Sequence, residues 1–321
     1  MPLLLKFLAR ALVAVIGLSL LVVVGYVGGW PFFAATAGAT VLALHEYYSA
    51  LRVKGIRPNG KLGWLCALLL LAIAQYGETV RRGLVHDGEV ALGVADLNVI
   101  TTTLHLSLLV LLFCVAGTLI CQFSRREGQS AVVNSATTVF GVVYIGLLFS
   151  FVLRMRYVDI AGLMSVHGPI PALVMYPWSE QFWRGMGSLI FVVGPVWLGD
   201  TTAFLVGNLW GKHKLAPRIS PGKTIEGALG GLAASILGAI LCGWWLGMGP
   251  VSSALLGLMM GVVSQLGDLG KSVLKRDLGI KDFGTVFGPH GGVLDRFDAI
   301  LFSMPLVYWY FWFLVMRVGA S

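Results

Sequence analysis

The sequence predicts an all-α polytopic membrane protein, and three observations carry that expectation. Of 321 residues, 57% are hydrophobic and only 12% charged. The mean hydropathy is +0.84. The apolar residues also fall in blocks of about 20, the length that crosses roughly 30 Å of hydrocarbon as helix. A soluble domain carries about 25% charged residues, so a water-soluble globule of this length could not cover its own surface. The blocks lack period-2 alternation, which argues against an outer-membrane barrel. The 42 glycines have no fixed period, which rules out a collagen-like chain.

About nine spans are predicted, near 5–27, 31–51, 62–77, 98–121, 131–153, 184–207, 225–247, 250–270 and 297–317. Met1 to about Val27 reads as an uncleaved first helix, because a second span follows almost at once. Gly28-Gly29-Trp30-Pro31 and Gly247-Met248-Gly249-Pro250 read as tight turns, each placing proline at the first position of a helix. Segments 78–97 and 154–183 read as longer outer loops. The chain divides into N-terminal transmembrane helices (1–125), a middle helix and outer loop (126–183), and a C-terminal catalytic region (184–321).

Basic residues set the orientation. With the N-terminus in the cytoplasm, loops assigned alternately put 17 of the 23 Lys and Arg on the inner side and 6 on the outer. That is the positive-inside asymmetry, and an odd number of spans leaves the C-terminus outside. The net charge of +8 is read as loop lysines and arginines beside anionic lipid, with no nucleic-acid partner. Cys66, Cys114, Cys121 and Cys242 lie in or beside apolar runs, form no CxxC pair, and read as small core residues.

Seven of the fifteen acidic residues lie between Asp200 and Asp298, near inner-face loops or the helix ends that flank them. A carboxylate beside a bilayer is costly unless it has partners and a task. Asp200 precedes a basic loop that ends in Ser220-Pro221-Gly222-Lys223-Thr224-Ile225-Glu226. Ser220–Thr224 is expected to open the next helix, where free N–H groups, the Lys223 ammonium and the Thr224 hydroxyl would suit a phosphate; an ordinary helix cap explains the same residues. It is no P-loop, because Pro217 stands where that pattern needs glycine.

Further on, Asp268, Lys271, Ser272 and Lys275 are three and four residues apart and share one helix face. Asp268 is expected near a helix C-terminus, where an acid is disfavoured, so a counter-cation is expected beside it. Asp295 and Asp298 lie at the start of the last span, where acids also serve as caps. Between the Asp268 helix and the last span runs Phe287-Gly288-Pro289-His290-Gly291-Gly292, whose glycines let backbone approach a ligand. Carboxylates beside phosphate-binding cations suit Mg²⁺-assisted phosphoryl or nucleotidyl transfer, since Mg²⁺ takes one or two protein carboxylates plus substrate phosphates.

From Ser272 to Asp298 the pattern is Ser272-x-x-Lys275-Arg276, Lys281-Asp282-x-Gly284, then His290-Gly-Gly-x-x-Asp295-Arg296-x-Asp298. It resembles the signature of the phosphatidate cytidylyltransferases without a departure, and Ser220-Pro-x-Lys-Thr-x-Glu226 resembles an upstream block of that family. The resemblance implies that CTP and phosphatidic acid give CDP-diacylglycerol and pyrophosphate with Mg²⁺. It assigns Asp268 and Asp295 to the metal, admits K⁺ at the same centre, and implies a homodimer in a bacterial inner membrane. Lys223, Arg276 and Lys281 are expected on phosphates, with Ser220, Thr224, Ser272, Lys275, His290 and Arg296 binding substrate. Asp200, Glu226 and Asp298 are expected as additional ligands or as groups that hydrogen-bond the ligands.

His45 and Glu46, late in the second span, read as snorkelling to the interface. The rival enzyme class is a CTP-dependent lipid-alcohol kinase, against which the full Ser272–Asp298 signature argues. A transporter would show paired halves and broken helices at the midplane.

Overall fold

The computed structural model describes residues 22–86, 92–124, 130–158, 185–284, 286 and 291–318. Residues 22–27 are helical. Then follow α1 (Gly29–Val53), α2 (Gly60–His86), α3 (Leu92–Cys121), α4 (Ala131–Gly141) and α5 (Leu148–Arg156), with a π-helical stretch at Val142–Leu147 joining the last two. The C-terminal part holds α6 (Gly187–Trp210), strands β1 (Lys214–Ala216) and β2 (Ser220–Thr224), α7 (Ile225–Trp245), α8 (Pro250–Leu278) and α9 (Leu294–Val318).

Among the described residues six helices are long and apolar enough to cross a membrane: Gly60–Val80, Asn98–Ser124, Ala131–Arg156, Gly187–Trp210, Ile225–Trp245 and Pro250–Leu278. The helical membrane architecture therefore stands, with six of the expected spans meeting that standard among the described residues. Most of the expected first span lies outside the described residues. Helices α1 and α9 have the length, at 25 residues each, but dilute their aliphatic residues with Trp, Tyr and small side chains. Lipid exposure is plainest on α3: only 17% of its apolar window is buried, and Leu108, Leu112 and Leu119 point outward.

The expected loop at 78–97 is shorter than predicted. Helix α2 runs to His86 and α3 begins at Leu92, because a helix does not end where hydrocarbon does. Arg154 and Arg156, expected in an outer loop, are instead buried at the end of α5. Arg156 Nε donates to Gly25 O at 2.6 Å and an Nη to Tyr26 O at 3.2 Å, closing the end of the helix at 22–27.

Following the chain, the C-terminal ends of α1, α3, α6 and α8 and the N-terminal ends of α2, α4, α7 and α9 collect on one face. The α1 end reaches the α8 end there, with Lys54 Nζ 3.0 Å from Asp277 Oδ1. Small residues let α6 and α7 approach closely: a Cβ on Gly227 would stand 2.7 Å from Ala203 O, and one on Gly231 2.8 Å from Gly199 O. The main apolar core, from Phe32 through Phe149 and Phe191 to Phe311, joins N-terminal to C-terminal helices, and a smaller cluster of Cys66, Leu70, Cys114 and Val142 packs α2 against α3.

Candidate active site

Between α6 and α7, β1 and β2 pair antiparallel as a short hairpin, Lys214 opposite Thr224 and Ala216 opposite Ser220. The expectation that Ser220–Thr224 opens a helix is corrected here. These residues form a strand, and only Thr224 caps the helix, its Oγ1 accepting Gly227 N at 3.1 Å. The Thr224 hydroxyl, expected on a phosphate, is thus turned to its own helix and buried. Glu226, expected among the carboxylates, fastens the hairpin instead. It accepts Lys212 N at 3.1 Å and His213 N at 3.2 Å, and its Oε1 lies 2.6 Å from His213 Nδ1.

The hairpin leans over the end of α8. Lys223 of β2 places Nζ 2.7 Å from Asp268 Oδ2, and Arg276 Nε donates to Ile219 O in the hairpin turn at 3.1 Å. Helix α8 continues to Leu278, so Asp268 is not at its end as expected, yet the counter-cations are present. Lys271, one turn on, lies 3.1 Å from Asp268 Oδ1, pairs with the buried Asp298, and donates to Asp295 O at 3.2 Å. Lys275, a further turn on, lies 2.5 Å from Asp295 Oδ1 and 3.4 Å from Asp282 Oδ1. Asp200 of α6 is close enough to Asp268, Lys223 and Lys271 for its charge to interact with theirs. Ser272 donates to Asp268 O at 2.8 Å, which still leaves its oxygen free to accept.

Helix α8 stops at Gly279, in the left-handed region at φ +69°, where only glycine is unstrained; Ile280 N returns to Lys275 O at 3.0 Å. The chain then passes Lys281, which is exposed, and Phe283 on its way to α9. Asp295 Oδ2 gathers both sides of that connection, accepting Phe283 N at 3.0 Å and Gly292 N at 3.1 Å. His290 lies outside the described residues; Arg296 is exposed on the first turn of α9.

Two residues at this site were missed in the sequence. Lys271 is the hub of the three aspartates, a role its spacing from Asp268 hinted at. Glu46 does not snorkel: it is buried, and its carboxylate accepts Val293 N at 3.0 Å and Leu294 N at 3.1 Å at the start of α9. Its burial in an otherwise apolar helix was the available signal, since ionisable residues inside membranes are functional by default.

The arrangement is one network of carboxylates and ammonium groups on a single face, drawn from α6, the hairpin, α8 and α9. Comparison with known proteins gives it a chemistry. The profile of the cytidylyltransferase family matches residues 8–314. The chain belongs to the cytidylyltransferase family. A phosphatidate cytidylyltransferase of Synechocystis sp. is 35% identical over 307 residues, covering 94% of this chain and 95% of the relative. One from Aquifex aeolicus is 47% identical over 120 residues, covering 37% of this chain and 45% of the relative. One from Staphylococcus aureus is 35% identical over 202 residues, covering 61% and 76%. This cytidylyltransferase is therefore a nucleotidyl-transferring enzyme of the membrane. Its lysines reach the network from two positions on α8, Lys271 and Lys275, and one on the hairpin, Lys223.

Proposed function

We propose that the protein transfers the cytidylyl group of CTP to phosphatidic acid, giving CDP-diacylglycerol and pyrophosphate for phospholipid biosynthesis. The observation that carries this reading is the network of Lys223, Lys271 and Lys275 with Asp268, Asp295 and Asp298, at the ends of helices that collect on one face. The phosphatidate phosphate is already an anion, so an oxygen of it attacks the α-phosphorus of CTP without a strong base. The bond to the β-phosphate oxygen breaks, and pyrophosphate departs. Such a transfer depends on positioning and charge neutralisation more than on covalent help.

The donor set fits Mg²⁺. Both oxygens of Asp268 face lysine ammonium groups on flexible stems, and Asp295 keeps Oδ1 beside Lys275 while Oδ2 is fixed by backbone. Hard carboxylate oxygens in this number suit an ion that fills its remaining positions with waters and phosphates. Asp268 and Asp295 would hold the ion, with Asp200 and Asp298 beside them, and K⁺ would share the same carboxylates. When bound, Mg²⁺ supplies positive charge to the triphosphate and the leaving pyrophosphate. Lys223 and Lys271, released from Asp268, turn to phosphate oxygens, and Arg276 and Lys281 hold the outer end of the triphosphate. Ser220 and Ser272 hydrogen-bond phosphate, and His290 and Arg296 complete the substrate contacts.

The same reading includes nine spans with the N-terminus cytoplasmic and the C-terminus outside, in a bacterial inner membrane, as a homodimer. Its support is the collection of Lys54, Arg57, Lys61, Lys212, Lys214 and the catalytic lysines on one face, as the positive-inside rule requires of the cytoplasmic side. The test is purified protein with CTP, phosphatidic acid and Mg²⁺. A CDP-lipid and pyrophosphate are expected, and excess chelator should remove both. Release of CDP with a phosphorylated lipid alcohol would make the protein a lipid kinase and overturn the reading.

A further inference from the structure

On the face that carries the aspartates, but built from the N-terminal helices, lies an open cavity of about 460 Å³, the size of a small-molecule site. The α1–α2 connection, the end of α3 and the start of α4 line it. Its walls include Arg52, Arg57, Lys61, Trp64, Asn59 and Asn134.

The charge of this cavity differs from that of the catalytic network. There each of Lys223, Lys271 and Lys275 has an aspartate against it. Here, among the described residues, three cations share a wall on which no carboxylate appears, and none of the three forms an ion pair. The cavity is also held in shape. Arg57 N donates to Asn134 Oδ1 at 2.9 Å and Asn59 N to Thr138 Oγ1 at 2.9 Å, so the α1–α2 connection is stapled to α4. Trp64 adds a donor still unspent, its indole Nε1 being buried without a hydrogen-bond partner.

Directly beneath the cations the surface turns apolar. Lys61, Leu65 and Leu69 follow at intervals of four on α2, one above another on the same side of the helix. Leu65 is 48% exposed, and beside the cavity Ile120 and Phe123 at the α3 end are 60% and 86% exposed. Cations over an outward apolar face, at the end of membrane helices, match an anionic headgroup with its acyl chains below.

We infer that this cavity binds the phosphate of an anionic glycerophospholipid, held by Arg52, Arg57 and Lys61, with its acyl chains along α2 and α3, apart from the catalytic aspartates. Phosphatidylglycerol is the probe, because its phosphate is a diester and cannot serve as the attacking phosphomonoester. Native mass spectrometry of the purified full-length protein, titrated with phosphatidylglycerol and with phosphatidylcholine, reads the binding. Wild type should retain phosphatidylglycerol in preference to phosphatidylcholine. Arg57→Gln/Lys61→Gln should bind phosphatidylglycerol roughly thirtyfold more weakly, with phosphatidylcholine binding and CTP turnover unchanged. Equal phosphatidylglycerol binding by wild type and variant overturns the inference. Displacement of the lipid by millimolar inorganic phosphate places free phosphate in the cavity and overturns the lipid assignment. Should the double variant not fold, Lys61→Gln alone and Trp64→Phe carry the same comparison, and unchanged binding in both overturns it equally.

Discussion

Asp268→Asn is expected to lower cytidylyl transfer by on the order of 10³-fold while folded protein still accumulates in the membrane. Asparagine keeps the shape of the side chain and can accept from one lysine, but it removes the charge that holds Lys223 and Lys271 together at 2.7 and 3.1 Å. It also removes the hard anionic oxygens that an Mg²⁺ ion requires. Folding should tolerate the change, because the Asp268 side chain is 35% exposed and Lys271 retains Asp298. The contrast is Asp298→Asn. Asp298 and Lys271 are both buried, so neutralising Asp298 leaves the buried ammonium only the partly exposed Asp268 at 3.1 Å, and the cost approaches the roughly 3–5 kcal/mol of a broken buried pair. That variant should lose melting temperature and yield as well as activity. Turnover near wild type in Asp268→Asn, measured on protein with an unchanged melting curve, would remove Asp268 from the chemistry.

The sequence made the membrane class legible because it is written in composition, and the α8 cluster legible because it is written in helical spacing. Asp268, Lys271, Ser272 and Lys275 could be placed on one face from their numbers alone. Helix termini were less legible. Hydropathy falls where hydrocarbon ends, whereas α8 continues past Asp268 to a glycine stop at Gly279. The argument that Asp268 opposes a helix dipole therefore rested on a wrong boundary, although the counter-cations it called for are there. The hairpin was not legible at all. Its strands are three and five residues long, show no alternation, and contain the Pro-Gly and Lys-Thr pairs that also introduce helices. What pairs with what across the chain was equally hidden: nothing in the spacing links Glu46 to Val293, 247 positions away.

Glu46 bears on catalysis without belonging to the network of lysines and aspartates. Its carboxylate accepts the two free N–H groups that open α9, and a Cβ on either Gly284 or Gly292 would collide with it. Gly292 also donates to Asp295 Oδ2, so Glu46 and Asp295 grip the same few residues from opposite sides. Gly291, at φ +82°, makes the turn between them possible. Glu46 thus sets where Asp295 is presented, from a helix far away in sequence. Glu46→Ala should orphan two buried N–H groups at about 1–3 kcal/mol each and lower the melting temperature markedly. Glu46→Gln is the sharper variant, because it keeps the volume and one acceptor while turning an NH₂ toward the second N–H. The expected result is a fall in kcat of about 10–100-fold, the usual cost of disturbing a group that orients a ligand-bearing residue. KM for CTP should change less, since Lys223, Arg276 and Lys281 do not depend on this contact. Glu46→Asp, which shortens the reach but retains the charge, should recover part of the lost kcat. If kcat in Glu46→Gln matches wild type, α9 is positioned by packing alone and the carboxylate has no share in presenting Asp295.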